Sequence, residues 1–131
     1  MPKRVLIVED EVSVRNAVRV FFEQQSQFEV CGEAANGAEA LEKANTLHPD
    51  IIILDLSMPQ MNGIEAASLF RSRLPNVPVV VYTMFGDVLG KQLAAALGVA
   101  AIVSKSDGLP TLLRHIESLP PSKTLVQPPA A

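Results

Sequence analysis

Runs of consecutive apolar residues alternate with segments of helical period along this chain. The apolar runs lie at 5–8, 51–54, 77–82 and 99–103. Continuous apolar runs are typical of strands that are buried on both faces of a parallel sheet. Residues 28–33 instead alternate between apolar and polar types, as a half-exposed edge strand does. The pattern therefore predicts five strands.

Between these strands the apolar spacing is that of a helix. Asn36 with Glu39, and Asn62 with Glu65, have the form of capping boxes at helix starts. Gly98 is a typical residue just beyond a helix end. Five helices are predicted, with apolar faces at Val14, Ala17, Val18 and Phe21; at Leu41, Ala44 and Leu47; at Ala66, Ala67, Phe70 and Leu74; in the Ala- and Leu-rich segment 87–97; and at Leu109, Leu112, Leu113 and Ile116.

Regular alternation of strands and helices predicts the α/β class, with a doubly wound parallel sheet and helices on both of its faces. A length of 131 residues suits one domain. We expect this domain to span residues 1–119. Residues 120–131 contain Pro and Ala without periodicity, and we expect a flexible tail or a truncated linker there.

Composition limits the classes of function. Hydrophobic residues make up 48% of the chain and charged residues 19%, which argues against disorder. The net charge of −3 and the lack of a long basic run argue against direct binding of nucleic acid. No apolar run approaches the ~20 residues that a membrane-spanning helix needs. Only four apolar residues, 5–8, follow the basic residues near the start of the sequence, which is too few for a signal peptide. The single cysteine, Cys31, is expected to be a small core residue. We expect a soluble, cytoplasmic protein that does not bind membranes.

Polar side chains follow four of the predicted strands. Because Pro59 prevents a helix from starting directly after Asp55, we expect that carboxylate to lie in a loop. Parallel strands place their carboxyl ends at one edge of the sheet, where such folds bind ligands. Taken singly, each residue has an ordinary interpretation as a helix-start acid, a turn residue or a surface lysine. The residues are Glu9 and Asp10 after the first strand, Asp55 after the third, Thr83 after the fourth and Lys105 after the fifth.

Three carboxylates at one edge predict a cation site, because like charges at ~4 Å repel by about 1 kcal/mol even in water. Carboxylate oxygens favour Mg²⁺, and no His or Cys stands nearby in sequence to indicate zinc. Lys105 and Thr83, opposite a metal site, suit a phosphoryl group carried on Asp55.

These residues resemble the receiver domain of two-component response regulators over residues 3–119. The resemblance lies in the acidic pair Glu9-Asp10, the D-x-x-M-P-x-M-x-G pattern at 55–63, Thr83 and Lys105. It implies a flavodoxin- or CheY-like sheet with strand order 2-1-3-4-5. It also implies that Asp55 accepts phosphate from a sensor histidine kinase or a phosphotransfer protein, within a phosphorelay.

The resemblance further implies the roles of the other residues. Asp10, Asp55 and the Ser57 carbonyl would ligate Mg²⁺, and Glu9 would act mainly through a water molecule. Thr83 and Lys105 would bind the phosphoryl oxygens and draw the neighbouring loops inward.

The chain departs from the common receiver pattern at three places. The first acid is Glu9 where Asp is commoner. Ile102 stands where many receivers carry an aromatic residue, and Phe85 is a candidate substitute for it. The segment 106–108 is Ser-Asp-Gly where many receivers have Pro after the Lys, which is closer to receivers joined to helix-turn-helix output domains.

The expected function is a phosphorylation-activated switch that changes partner binding and catalyses only its own phosphorylation and dephosphorylation. Two alternatives remain open: the receiver half of a DNA-binding transcriptional regulator, and a degenerate receiver that binds partners without phosphate chemistry. A hydrolase is the weakest interpretation, because no separate general base is evident. The weakly charged helix around residues 91–96 has two interpretations: the high helix propensity of Ala, or a homodimer or effector surface on the face formed by helix 4, strand 5 and helix 5.

Overall fold

The computed structural model describes residues 2–56, 63–84, 86 and 94–120. Strands and helices alternate along the whole of this part of the chain. The strands are β1 (Lys3–Val8), β2 (Phe28–Ala34), β3 (Ile51–Leu54), β4 (Val79–Thr83) and β5 (Ala101–Ser104). The helices are α1 (Val12–Glu23), α2 (Gly37–Leu47), α3 (Gly63–Arg73), α4, of which residues 94–97 are described, and α5 (Leu109–Glu117).

The five strands form one parallel sheet in the order β2-β1-β3-β4-β5. This confirms the predicted fold class and strand order. All four residues of β3 are buried, since β3 pairs with β1 on one side and β4 on the other. The alternating segment 28–33 lies in β2, at the edge of the sheet, as its pattern predicted.

Side chains of the central strands point alternately into two apolar layers. Leu6 and Ile52 pack into the layer covered by α2 and α3, which contains Phe70. Val5 and Ile53 pack into the opposite layer, covered by α1 and α5. The second layer includes edge-to-face contacts of Phe22 with Phe21 and with Phe28, at centroid distances of 5.4 Å. A strand of continuous apolar residues therefore contributes side chains to both apolar layers.

Local capping fixes where α2 begins and ends. The Asn36 side chain accepts a hydrogen bond from the Glu39 backbone N–H (2.9 Å), as the capping pattern predicted. The Glu39 carboxylate accepts from the Ala35 N–H (2.7 Å), one residue earlier than in the standard capping box. The helix ends at His48, which adopts the left-handed conformation with φ of 52° before Pro49.

The predicted apolar face of α1 is wrong in one position. Val18 and Phe22 are buried, whereas Ala17 is exposed. The buried stripe of α1 therefore has a spacing of four residues, and Ala17 lies at its border. Exposure of a single methyl group costs little, so the larger Phe22 decides how the helix is rotated.

Two further predictions concern the single residues Gly98 and Cys31. Gly98 has a φ of 74°, in agreement with its predicted place after a helix. Cys31 is half-buried against the apolar layer under α2, and its Sγ lies 3.4 Å from the Val5 carbonyl oxygen. The predicted cap at Asn62 and most of the segment 87–97 lie outside the described residues. Within the described part of the chain, no helix has the length and apolar content needed to cross a membrane.

Candidate functional site

The carboxyl ends of β1 and β3 bring three carboxylates together. Val8 and Leu54 are paired across the two strands, and the Asp55 N–H donates to the Val8 carbonyl oxygen (3.0 Å). The chain therefore leaves both strands at the same level of the sheet. Carboxylate oxygens of Glu9, Asp10 and Asp55 all lie within 4.8 Å of one another.

Burial differs among the three carboxylates. Glu9 is 4% exposed and Asp55 5% exposed, whereas Asp10 lies on the surface. Burial raises the pKa of Glu9 above its ordinary value, and the charge of Asp55 adds to this increase. Hydrogen bonds from Lys105 and from the Glu11 N–H (3.1 Å) oppose the increase without cancelling it. The hydrogen-bond donors around Glu9 thus compensate only part of the effect of its burial.

Lys105 reaches this cluster from the end of β5. Its Nζ donates to Glu9 Oε1 at 2.7 Å and lies 3.7 Å from Asp55 Oδ1. Its side chain is only 13% exposed. A 3₁₀ turn at Lys105–Asp107 begins at the buried Ser104, whose Oγ accepts from the Ser106 N–H (3.3 Å). This turn directs the chain away while the lysine side chain extends back over the sheet edge.

Thr83 ends β4 and lies beside Ser104 in the β4–β5 register. It is 1% exposed, and its side chain is among the most deeply buried polar groups described. Gly86 follows close to the same point: a Cβ on this residue would lie 2.6 Å from the Ser104 backbone N and Cα. Only glycine allows the loop after β4 to approach β5 this closely.

The backbone of Glu9 is fixed from both sides. Its N–H donates to the Ala34 carbonyl oxygen (2.9 Å), and its carbonyl oxygen accepts from Arg15 Nη1 (2.8 Å). Neither Arg15 nor the Ser104 cap was expected from the sequence. The Arg15 contact exists only after folding, and an arginine in a helix carries no signal for it. The Ser104 cap is local, and serine is a favoured capping residue, so its residue type was a signal that could have indicated it.

The donor set fits a divalent cation. Three carboxylates and one ammonium leave a formal charge of −2 (three negative charges and one positive). This is the charge that Mg²⁺ balances. Carboxylate oxygens are its preferred protein ligands, and the exposed Asp10 leaves the site open to solvent, from which Mg²⁺ retains several of its waters. The residues present therefore suit Mg²⁺.

Comparison with known proteins agrees with this geometry. The family model of the response regulator receiver domain matches residues 5–117. The chain belongs to this family. Its similarity to the response regulator protein VraR of Staphylococcus saprophyticus is 41% identity over 85 residues, which cover 65% of this chain and 41% of that protein. This receiver chain thus spans less than half the length of that curated relative.

Solved structures give the same result. The response regulator domain of Thermotoga maritima CheB is 30% identical, with a TM-score of 0.81 over 89% of this chain and 95% of that one. A DNA-binding response regulator of the LuxR family from Staphylococcus aureus is 27% identical, with a TM-score of 0.80 over 88% of this chain and 96% of that one. Both are similar to this receiver across nearly all of their resolved length.

The structure places most of the receiver residues that the sequence singled out. Glu9, Asp10, Asp55, Thr83 and Lys105 lie at the same edge of the sheet, at the ends of β1, β3, β4 and β5. The remaining positions are less fully described. Ser57 and Phe85 lie outside the described residues. Ile102, at the position that is aromatic in many receivers, is half-buried against the apolar layer under α2 and α3.

Proposed function

We propose that this receiver is a phosphorylation-activated switch in which Asp55 accepts a phosphoryl group. One observation carries the proposal. Asp55 is buried at the carboxyl edge of the central strand, with two other carboxylates and a lysine ammonium close by. A single carboxylate could be structural, but two further carboxylates that would hold Mg²⁺, together with a lysine ammonium, would supply the positive charge that a transferred phosphoryl group needs.

The reaction is a transfer between two nucleophiles. An Asp55 carboxylate oxygen forms a bond to phosphorus while the bond from phosphorus to the donor nitrogen of a phosphohistidine breaks. The electron pair of the broken bond stays on the donor imidazole. The phosphorylated state is lost when water attacks the same phosphorus, which releases inorganic phosphate and restores the Asp55 carboxylate. Catalysis by this chain is limited to these two steps on itself.

Each neighbouring residue has a role that fits its position. Asp10 and Asp55, with the Ser57 carbonyl, would hold Mg²⁺, with Glu9 acting mainly through a water molecule. When bound, Mg²⁺ neutralises charge on the phosphoryl oxygens. Lys105 supplies a second positive charge from the β5 side. The Thr83 hydroxyl, at the end of β4, lies on the strand next to Lys105 and would bond a phosphoryl oxygen.

The switch would act through the loops after β4 and β5. Movement of Lys105 and Thr83 toward the phosphoryl group would pull these loops and change the face formed by α4, β5 and α5. Partners would be a sensor histidine kinase or phosphotransfer protein as donor, and an effector or a second copy of the chain on that face. We assign the domain to residues 1–119, with 120–131 as tail or linker, and place the protein in the cytoplasm.

A second candidate is the receiver half of a DNA-binding transcriptional regulator. It is supported by the similarity to a DNA-binding response regulator of the LuxR family and by the 41% share of the VraR length that the match covers. DNA contacts would then belong to a separate output domain. A degenerate receiver without phosphate chemistry is disfavoured, because the carboxylates and Lys105 are all present and close together.

Intact mass after incubation with acetyl phosphate tests the proposal. The wild-type chain should gain the mass of one phosphoryl group when Mg²⁺ is present and none when it is chelated. Asp55→Asn should fold but gain nothing. A wild-type chain that never gains the mass would favour the interpretation as a degenerate receiver without phosphate chemistry. An Asp55→Asn chain that still gains the mass would show that another residue is the acceptor.

A further inference from the structure

Arg15 links the acidic pair to the edge strand of the sheet. Its Nη1 donates to the Glu9 carbonyl oxygen (2.8 Å), and its Nε lies 3.3 Å from Glu33 Oε1 on β2. The Arg15 side chain is 20% exposed, so both contacts are partly shielded from water. Glu33 is itself held, because its second oxygen pairs with Arg19 Nε at 3.3 Å and its carbonyl accepts from Lys43 Nζ.

This link completes the restraint on the peptide that carries the acids. The Glu9 N–H is bound to Ala34 on β2, and the Glu9 carbonyl is bound to Arg15, which is anchored on β2 as well. The Glu9 carbonyl and the Asp10 N–H belong to one planar peptide unit. Fixing the carbonyl therefore fixes where the Asp10 Cα lies, although the Asp10 side chain is exposed.

From this geometry we infer that Arg15 is a positioning residue for the metal site: it holds the Glu9–Asp10 peptide in the orientation in which the acids bind Mg²⁺. The inference rests on the proposed function and adds a residue to it. Mg²⁺ demands near-octahedral geometry, so a small displacement of a carboxylate lowers its affinity. Groups that orient metal ligands have correspondingly large effects on binding.

A positioning role and a purely electrostatic role of Arg15 predict opposite results. The guanidinium is a positive charge near a cation site, so its removal by itself would strengthen Mg²⁺ binding. Loss of positioning would instead weaken Mg²⁺ binding. The sign of the change therefore decides between them.

Arg19 provides a matched control. It lies one turn further along α1 and pairs with the same carboxylate, Glu33, at the same distance of 3.3 Å. Its described hydrogen bonds go to the side chains of Glu23 and Asn16, not to the backbone of Glu9. Arg19→Met, like Arg15→Met, thus removes one positive charge and one partner of Glu33. Unlike Arg15→Met, it leaves the Glu9 carbonyl bonded to Arg15.

The test is calorimetric titration of the full chain with MgCl₂ alone. We expect Arg15→Met to weaken Mg²⁺ binding about tenfold, the low end of the effect of groups that orient metal ligands. We expect Arg19→Met to leave it unchanged or slightly tighter. Arg15→Lys, which keeps a donor and the charge, should recover part of the loss.

Further variants separate positioning from loss of structure. Glu33→Gln leaves Arg15 in place but weakens its anchor, and should give a smaller loss of Mg²⁺ affinity in a folded chain. Chemical unfolding in the presence of a chelator reports the stability of every variant without metal. Equal affinity of Arg15→Met and Arg19→Met, or tighter binding by Arg15→Met, would overturn the inference alone. A wild-type chain that binds no Mg²⁺ would instead overturn the metal chemistry of the proposed function, and the inference with it.

Discussion

Lys105 and Glu9 form a short ion pair across the candidate site, although 96 positions separate them in the chain. The Nζ–Oε1 distance is 2.7 Å, whereas the same Nζ lies 3.7 Å from Asp55 Oδ1. The ammonium is thus bound to Glu9 and lies farther from Asp55, the proposed phosphoacceptor. In the proposed reaction, Lys105 exchanges part of this ion pair for the phosphoryl oxygens on Asp55.

Replacement of Lys105 by Met should lower the free energy of unfolding by about 1–3 kcal/mol when no metal is present. The substitution leaves the buried Glu9 carboxylate without its ammonium partner, which costs more than loss of a surface pair. Saturating Mg²⁺ should restore part of the loss. Urea unfolding with and without Mg²⁺ measures both effects.

Lys43→Met is the matched control for this stability change. Lys43 pairs with Glu39 at 3.0 Å and also donates to the Glu33 carbonyl oxygen, but the side chains of the pair are about 40% exposed (41% and 39%). Exposed pairs contribute about 0–1 kcal/mol. A loss for Lys105→Met no larger than that of the Lys43 variant would contradict the assigned role of the buried pair.

Lys105→Met should also separate phosphorylation from the structural change. Without the ammonium, the phosphoryl group has no charged tether to β5. The amide NMR shifts of Ala101–Ser104 should therefore change less on phosphorylation than they do in the wild-type chain. If the variant shows the full shift changes, Lys105 does not transmit the switch.

Glu9→Gln should weaken Mg²⁺ binding by about fivefold or more, since a unit charge near the ion contributes on the order of 1 kcal/mol or more. Stability without metal should fall by no more than about 1 kcal/mol, because burial raises the pKa of Glu9 and a neutral side chain suits that environment. Glu11→Gln is the control: it removes an exposed acid that bonds only Ser13 among the described side chains. Equal Mg²⁺ affinity of the two variants would exclude Glu9 from the metal site.

Acid sensitivity should depend partly on Glu39. The Ala35 N–H and Lys43 lower the pKa of Glu39 below its ordinary value of 4.5. A depressed pKa in the folded state adds stability that is complete above pH 4.5 and is lost as the pH falls further. Glu39→Gln should therefore be less stable than wild type at pH 7, and the difference should close on acidification.

Thermal unfolding from pH 7 to pH 3 measures this effect. Glu42→Gln, an exposed acid on the same helix, controls for the loss of one charge. A gap between Glu39→Gln and wild type that persists unchanged to the lowest pH would show that the carboxylate charge does not strengthen the α2 cap.

The fold was predictable because its signals are local. Apolar runs of four or more residues mark the buried strands, and the alternation at 28–33 marks the edge strand. Boundaries were less certain: the fifth strand was expected at 99–103 and is found at Ala101–Ser104. Gly98 has a left-handed conformation, so the strand begins only after this turn. The Ala100 N–H donates to the Val79 carbonyl oxygen just before the first residue of β5.

The site was predictable as a set of residues but not as a set of contacts. Parallel strands bring their ends together, so the positions of Asp55 and Lys105 follow from the topology. The direct bond of Lys105 to Glu9 does not follow, because it depends on side-chain reach across 96 positions. The hold of Arg15 on the Glu9 backbone was missed because that contact exists only after folding. The rotation of α1 that exposes Ala17 was missed because burial of the larger Phe22 decides it.

Chemical mapping of the phosphorylated position tests the central claim most directly. The chain is phosphorylated with acetyl phosphate and Mg²⁺ and then reduced with sodium borohydride, which converts an aspartyl phosphate into homoserine. Peptide mass spectrometry then distinguishes the three clustered carboxylates. The account predicts homoserine at position 55, with Glu9 and Asp10 unchanged; a reduced residue at 9 or 10 and an intact Asp55 would contradict it.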